Sequence, residues 1–357
     1  MKIKEIASFN PKGKKPNDYI NYVDTSSVED GKLVGLQTLS KDIPSRAQRV
    51  IEKNDILISS VRPILKHNFF VGQSIQHGVA STGFIQIRVN NSNVLPRFLY
   101  YYLTVETKTQ QYQTIAETSQ STFPSFNKDV IEEMEFPNIS LETQQHIVDI
   151  LGSIDEETEN NEQLINIFEN LAAKKYLDFA NKTSTKIRLE DVIELFDSKR
   201  IPLSSREREQ RKGIYPYYGA TGILDYVNGF LFSGEHVLFA EDGTVTDTNG
   251  HPIVQLVNGS FWVNNHAHIL KGKNGWNDYT LYVALKQINV DKAVTGAVQP
   301  KINQANLLSL EIPNLSNNNL QTINTELDIV FHKVFHLRSE NKKLQELKGL
   351  YLKKFFE

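Results

Sequence analysis

Residues 140–179 read SLETQQHIVDILGSIDEETENNEQLINIFENLAAKKYLDF, and residues 316–355 read SNNNLQTINTELDIVFHKVFHLRSENKKLQELKGLYLKKF. A displacement of 176 positions aligns the two without a gap, placing Ser140 on Ser316, Gln145 on Gln321, Ile147 on Ile323, Leu151 on Leu327, Leu171 on Leu347 and Phe179 on Phe355. The same offset runs upstream, through Pro124/Pro300, Asn127/Asn303, Glu135/Glu311, Pro137/Pro313 and Asn138/Asn314. A period near half the chain means duplication, not a solenoid of short repeats.

Each copy predicts a long helix. A Pro-Asn pair precedes Ser140 and Ser316, whose hydroxyls can cap free N–H groups of the first turn. The apolar seam runs Ile147, Leu151, Ile154, Thr158, Asn161, Ile165, Phe168, Ala172 in the first copy. In the second it runs Ile323, Leu327, Val330, Val334, Leu337, Asn341, Leu344, Lys348. Steps of four and three alternate throughout, the heptad spacing of a coiled-coil seam. So narrow a stripe needs a partner helix, and the other copy is the nearest candidate. Between residues 131 and 181 there are twelve acidic and two basic residues, and between 301 and 357 six acidic and eight basic. Opposite net charges favour pairing of the two helices. Asn161 and Asn341 occupy seam positions, where a polar residue can fix register.

At 357 residues the chain is long enough for two or more domains. Cysteine is absent, which excludes disulfides, thiolate nucleophiles and cysteine metal sites. There is no run of eighteen apolar residues and no basic-then-apolar leader, so no membrane association and a cytoplasmic location are expected. Net charge is −3, but residues 1–130 carry sixteen basic and eleven acidic side chains. Nucleic-acid binding outside the acidic first helix is therefore allowed.

The stretches before each long helix read as mixed α+β. Short β-branched and aromatic runs at 19–23, 32–36, 55–58 and 84–89 are followed by a helix from Pro96 to about Thr107. The pattern restarts with an entry segment at 186–196, a Gly-rich aromatic turn at 215–222, strands at 236–240 and 261–263, and a helix at 278–287. Residues 55–58 and 236–239 lie 181 apart, close to the helix period, so the globular parts are expected to be duplicated as well.

Enzyme motifs are missing. No phosphate loop ending in Lys-Ser or Lys-Thr occurs, no Pro-Pro-Tyr or Pro-Pro-Phe motif of adenine methyltransferases, and no dinucleotide fingerprint around Gly222 or Gly243. Glu241-Asp242 reads as a solvated pair. His266 and His268 lack further ligands of matching spacing and read as a polar strand edge, not a metal site.

Tyr19-Ile20-Asn21-Tyr22-Val23-Asp24, Ala80-Ser81-Thr82-Gly83-Phe84, the stretch from Tyr215 to Gly222, Gln299-Pro300-Lys301-Ile302 and Ile312-Pro313-Asn314 occur in an order that identifies a resemblance. With Gln321 and the 344–348 helix end, the chain resembles the DNA-specificity subunit of Type I restriction-modification systems over essentially its whole length. The resemblance implies an α+β fold with two pseudo-symmetric target-recognition domains, at 1–139 and 181–315. Two long antiparallel helices, at 140–180 and 316–357, would form a coiled-coil spacer between them. It implies recognition of a bipartite, asymmetric site in double-stranded DNA, and assembly with two adenine-methyltransferase (modification) subunits and with motor-nuclease (restriction) subunits. No cofactor is expected on this chain; S-adenosylmethionine, ATP and Mg would belong to the partners. One departure is that Thr82-Gly83-Phe84 has only a loose counterpart, Asn265-His266-Ala267.

Base readers and phosphate contacts should be polar or cationic side chains in loops of the two domains. In the first these are Lys12, Lys14 and Lys15 for phosphate, and Ser60, Arg62, Lys66, His67 and Asn68 after the strand ending at Ile58. Arg62, beside Pro63, is the preferred base reader. In the second they are Arg206, Arg208, Arg211 and Lys212 for phosphate, with Tyr217, Tyr218, Thr244, Asn264 and Asn265 near bases. Each has a plainer reading: solvated lysines at 12–15, an ion-paired helical turn at 206–212, core packing for Tyr217 and Tyr218. Two rival functions stand beside this one: a coiled-coil adaptor that joins proteins without touching DNA, weakly favoured by the negative net charge, and a self-contained methyltransferase or nuclease, opposed by the missing motifs.

Overall fold

The computed structural model describes residues 1–29, 31–118, 124–296 and 298–357. The chain divides into two compact units: residues 1–158 with 343–357, and residues 159–342.

The first unit holds eight strands used here: β1 (Ala7–Phe9), β2 (Ile20–Val23), β3 (Gln37–Leu39), β4 (Ala47–Val50), β5 (Ile56–Ser59), β6 (Phe69–Phe70), β7 (Gly78–Ser81) and β8 (Phe84–Val89). They form two four-stranded sheets, ordered β1-β8-β5-β6 and β3-β2-β7-β4. The pairing of β2 with β7 is parallel; the other pairs are antiparallel. The first sheet is buried on both faces, and alternation along its strands sorts the side chains. Leu57 and Phe84 point to a core with Val23, Val28 and Ala80. Ile56, Ile58, Ile85 and Ile87 point to a helical layer. That layer consists of α1 (Pro96–Thr104) and α2 (Glu106–Glu117), with the first part of the long helix α3 (Leu141–Ala180). The α1 expectation ended three residues late, because Val105 is extended and starts a second helix. Of the expected strand at 32–36 only Lys32–Leu33 pairs, in a two-residue ladder with Val28–Glu29.

The second unit repeats the plan. Its strands are β9 (Ile193–Leu195), β10 (Lys212–Tyr218), β11 (Ile223–Val227), β12 (Phe232–Ser233), β13 (His236–Ala240), β14 (Val254–Val257), β15 (Ser260–Val263) and β16 (Ala267–Gly272). The sheets are ordered β9-β16-β13-β14 and β11-β10-β15-β12, with β10 parallel to β15. Strand for strand this is the first unit's topology. Ser59 faces Phe84 and Ala240 faces Ala267. The loose counterpart Asn265-His266-Ala267 thus leads into the same inner strand as Thr82-Gly83-Phe84. Two expectations change: Tyr215–Tyr218 are strand, not turn, and residues 186–195 split into Lys186–Arg188, a helical turn Leu189–Val192, and β9. A helix α4 (Asp278–Leu285) covers the sheet where α1 covers the first.

The long helices α3 and α5 (Asn317–Phe356) contain 40 residues each. Ser140 Oγ accepts the Thr143 N–H at 3.2 Å and Ser316 Oγ that of Asn319 at 3.4 Å. Within the first unit, Ile147 and Leu151 join the core with Phe98 and Tyr101, and Tyr351, Leu352, Phe355 and Phe356 of α5 pack against it. Lys348 Nζ meets Asp155 at 2.5 Å. Buried Gln144 accepts the Leu95 N–H (2.9 Å) and donates to Asn93 and Ile139 carbonyls, fixing the start of α3. Within the second unit, Ala172 and Tyr176 share a core with Ile323, Leu327, Val330, Phe331 and Val334, with Ile165 and Phe168 at its margin. Asn161 donates to Asn341 at 2.9 Å, Arg338 meets Glu169 at 2.7 Å and Lys175 meets Glu326 at 2.8 Å. Ascending numbers on α3 meet descending numbers on α5, so the segments are antiparallel. Ile154 is buried; Leu337 and Leu344 are half-buried. The compact units therefore cut across the chain-order division at 139, 180 and 315, because each takes apolar seam from both long helices.

Leu151 is fully buried whereas Ile167 is 60% exposed. In chemical denaturation of the full chain, Leu151→Ala should lower unfolding free energy by about 2–5 kcal/mol, and Ile167→Ala by no more than about 0.5 kcal/mol.

Candidate nucleic-acid interface

In the first unit two loops carry the candidates. After β1, Asn10 takes a left-handed conformation (φ 48°) and its Oδ1 accepts the Gln86 N–H at 3.0 Å. Lys12, Lys14 and Lys15 follow, all exposed. Gly13 lets this loop lie on β4, since a Cβ there would come within 2.6 Å of Val50 Cβ.

After β5, Arg62 (φ 48°) and Lys66 (φ 52°) flank a short turn, Pro63–Leu65. Left-handed conformations of non-glycine residues cost about 1–3 kcal/mol each and persist where the surroundings over-determine them. Those surroundings are visible. Ser60 Oγ donates to the Gly83 carbonyl (2.8 Å), Lys66 pairs with Glu106 (2.6 Å), His67 Nδ1 donates to the Thr25 carbonyl (2.6 Å), and Asn68 Oδ1 accepts the Ser59 N–H (3.0 Å). Asn68, expected among the DNA contacts of this loop, is buried, and its amide builds the loop. Ser60, Lys66 and His67 are likewise engaged in holding the loop. The Arg62 N–H donates to the Pro124 carbonyl at 2.9 Å while its residue stays exposed.

In the second unit the run at 206–212 does contain a helical turn, Ser205–Gln210, closed by a capping box between Ser204 and Glu207. Arg206 and Arg211 are exposed, the latter over the Trp262 ring at 5.9 Å. Arg208 turns inward: it donates to the Leu203 carbonyl at 2.8 Å, approaches Asp225 at 3.4 Å and stacks over Tyr217 at 5.3 Å. Lys212 holds Asp225 at 2.8 Å. The Lys212 hydrogen bond and the Tyr226 N–H keep the Asp225 carboxyl below its usual range. Tyr217 is fully buried and its hydroxyl accepts the Leu203 N–H at 2.9 Å. Asn264 is buried and accepts the His266 N–H at 2.8 Å. Arg208, Tyr217 and Asn264 are thus corrected to supporting roles, packed or bonded beneath the surface. Tyr218 is half-buried edge-on to Phe261; Thr244 and Asn265 are exposed.

Sequence reading missed a polar network under the β13 and β16 ends. Asp197, Glu241 and His268 converge, with ligand-type atoms within 4.8 Å of one another. Arg200 meets Glu241 at 2.7 Å and Asp197 at 3.4 Å, and Lys301 meets Glu241 at 3.0 Å. His268 lies on an inner strand, buried, with Nδ1 2.5 Å from Asp197 and Nε2 donating to the Ile302 carbonyl at 2.8 Å. It is no strand edge. Burial pushes the Glu241 carboxyl up, but Arg200, His268 and Lys301 outweigh it and hold the group below its usual value. Arg200 and Lys301 meet the two carboxylates directly, so the three groups belong to an ion network. Its members come from four separate segments, and no local spacing signals them. Among the described residues, no helix is long and apolar enough to cross a membrane.

The profile of the family described as Type I restriction modification DNA specificity domain matches residues 1–170 and again 181–348. The HindI specificity subunit of a Type I restriction enzyme from Haemophilus influenzae is 33% identical over 159 residues, 44% of this chain and 35% of that protein. The match thus spans about a third of that relative's length. The EcoprrI specificity subunit of Escherichia coli is 22% identical over 302 residues, 80% of this chain and 73% of that one. A solved Type I restriction-modification S subunit from M. genitalium superposes with a TM-score of 0.58 at 17% identity, covering 100% of this chain and 95% of its own.

A depressed folded-state carboxyl value contributes stability that is present above the unfolded value, about 4.3, and is lost as pH falls through the folded one. Melting temperatures between about pH 3 and 7 should therefore show an acid limb. Glu241→Gln should lower the plateau near neutrality and flatten that limb.

Proposed function

The chain belongs to the Type I restriction modification DNA specificity domain family, and from that premise we propose that it is the non-catalytic, sequence-reading subunit of a Type I restriction-modification complex. Each unit would read one half of a bipartite, asymmetric site in double-stranded DNA. The long helices would set the gap between half-sites and hold two adenine-methyltransferase subunits, through which motor-nuclease subunits join. S-adenosylmethionine, ATP and Mg would be bound by those partners, in the cytoplasm.

The observation that carries this reading is the duplicated pair of sheets under unlike loops. Strand orders match throughout, yet the first unit offers a lysine loop and a left-handed Arg62, and the second a capped Arg206–Arg211 turn. One scaffold with two different polar surfaces suits two different half-sites. Half-sites about one helical turn apart, roughly 34 Å, lie on one face of a duplex. A 40-residue helix rises about 60 Å at about 1.5 Å per residue, long enough to serve as the ruler.

Methylation-aware long-read sequencing of the source genome, with and without the gene, tests the reading. Loss of one split motif, with modified adenines on both strands and a fixed gap, is expected; an unchanged methylome from an expressed gene would favour the adaptor reading. If Arg62 holds a guanine, Arg62→Ala should weaken binding to the target by about 1–3 kcal/mol, with little change on random duplex. Inserting one turn of about four residues in both long helices should lengthen the recognised gap, which the same sequencing would register.

A further inference from the structure

Arg49 on β4 stands apart from the other guanidinium groups of the first unit. Its Nε is shielded from solvent and has no hydrogen-bond partner. Burial alone acts on the group, depressing it below its usual value, with no carboxylate raising it. By contrast Arg88 meets Asp55 at 2.7 Å, and Arg97 approaches Asp155 at 3.5 Å. Arg49 lines an open cleft of about 310 Å³ whose polar wall includes Asn10, Ser60, Thr82, Asn127 and Asp129. The Asp129 side chain is exposed and lies 3.7 Å from Lys128.

The second unit shows how the same ground can be neutralised. Ser60 and Glu241 occupy equivalent places. The Ser60 N–H donates to Gly83 and its carbonyl accepts from Phe126; the Glu241 N–H donates to His266 and its carbonyl accepts from Ile302. Bridges Val61↔Ser125 and Asp242↔Lys301 continue the match. Glu241 supplies the carboxylate for Arg200 and Lys301. In the first unit that position is a neutral serine, whose hydroxyl is spent on the Gly83 carbonyl. Arg49 is half-buried, and no carboxylate pairs with it. Its charge is therefore open to an anion from outside the chain.

We propose that the Arg49 cleft seats a phosphodiester of bound nucleic acid, with the loop Lys12–Lys15 flanking it along the same strand. This rests on the DNA-binding reading above. The wall offers donors suited to phosphate oxygens: the Asn10 amide N–H groups, left over once its Oδ1 has accepted from Gln86, the Asn127 amide and the Thr82 hydroxyl. Asn10 lines the cleft, and the exposed Lys12, Lys14 and Lys15 follow it in the same loop. A line of positive charge beside one seat fits a polyanion better than a single acidic side chain.

The test uses the full chain, a duplex carrying its target and an unrelated duplex, with affinity measured against salt. Arg49→Gln should weaken both duplexes by the same factor and reduce the slope of log K against log salt by about 0.9, one phosphate contact. Arg49→Lys should keep the slope. An unchanged slope in Arg49→Gln, with wild-type binding intact, overturns the seat and leaves the DNA reading standing. Loss on the target alone makes Arg49 a base reader and also overturns it. Displacement of wild-type DNA by inorganic phosphate at constant ionic strength, without a slope change in Arg49→Gln, points to a free anion instead. Loss of methyltransferase-subunit capture with DNA binding untouched assigns the cleft to an acidic protein surface. Absence of wild-type DNA binding removes both readings. Should Arg49→Gln fail to fold, the exposed double variant K14Q/K15Q carries the test: a slope reduced by up to about 1.8 is expected, and an unchanged one overturns the flanking role.

Discussion

The apolar seam of the two long helices is the constraint to which the rest of the structure answers. A heptad stripe on an isolated 40-residue helix would leave its leucines and isoleucines in water, and helical propensity alone does not offset that. Pairing the helices solves part of the problem, and each globular unit roofs what pairing leaves. In the first, Ile147 and Leu151 lie under α1 with the aromatic end of α5; in the second, Ala172 and Tyr176 lie under α4 with Ile323 to Val334. The first unit is thereby built from two stretches of chain and the second from one, and neither core is complete without both helices. The Asn161–Asn341 hydrogen bond sits within this seam, where an out-of-register alignment would leave the buried Asn161 amide unpaired.

The sheets depend on the same arrangement. An inner sheet whose residues alternate between a helical layer and a second sheet has no wet face. Its strands are therefore tightly constrained, and the loops between them are where the two units can differ. Those loops are held by their own short-range bonds: Asn68 beneath the Arg62 turn, Tyr217 and Arg208 beneath the Arg206 turn. A rigid frame below an exposed cation reduces the ordering cost of any contact that cation makes.

Electrostatics separates the units further. The second gathers half-buried Asp197, Glu241 and Arg200 around buried His268, with exposed Lys301 reaching Glu241, so its charges are matched internally. The first places a serine at the Glu241 position and leaves Arg49 without a carboxylate. Equivalent backbones can thus carry a closed ion network on one side and an open cationic cleft on the other, the difference being set by a few side chains.

Periodicity was enough to read the duplication, the two long helices with their serine caps, the heptad seam and the α+β character of the rest, because these depend on spacing along one segment. Strand edges slipped by a residue or two, and the 215–218 turn became a strand, since aromatic runs suit either until partners are known. The candidate surface was legible only in part. Lys12, Lys14, Lys15, Arg62, Arg206 and Arg211 are exposed as loop chemistry suggests, but Asn68, Arg208, Tyr217 and Asn264 are spent on bonds to residues two to fourteen positions away, a closure that apolar periodicity does not register. The sequence alone determined the architecture, because helix caps, repeats and apolar periods act locally. Only the tertiary structure decided which polar groups are spent on the fold and which, like Arg49, keep an unmatched charge, because that depends on how each loop closes and which groups it brings within hydrogen-bonding distance.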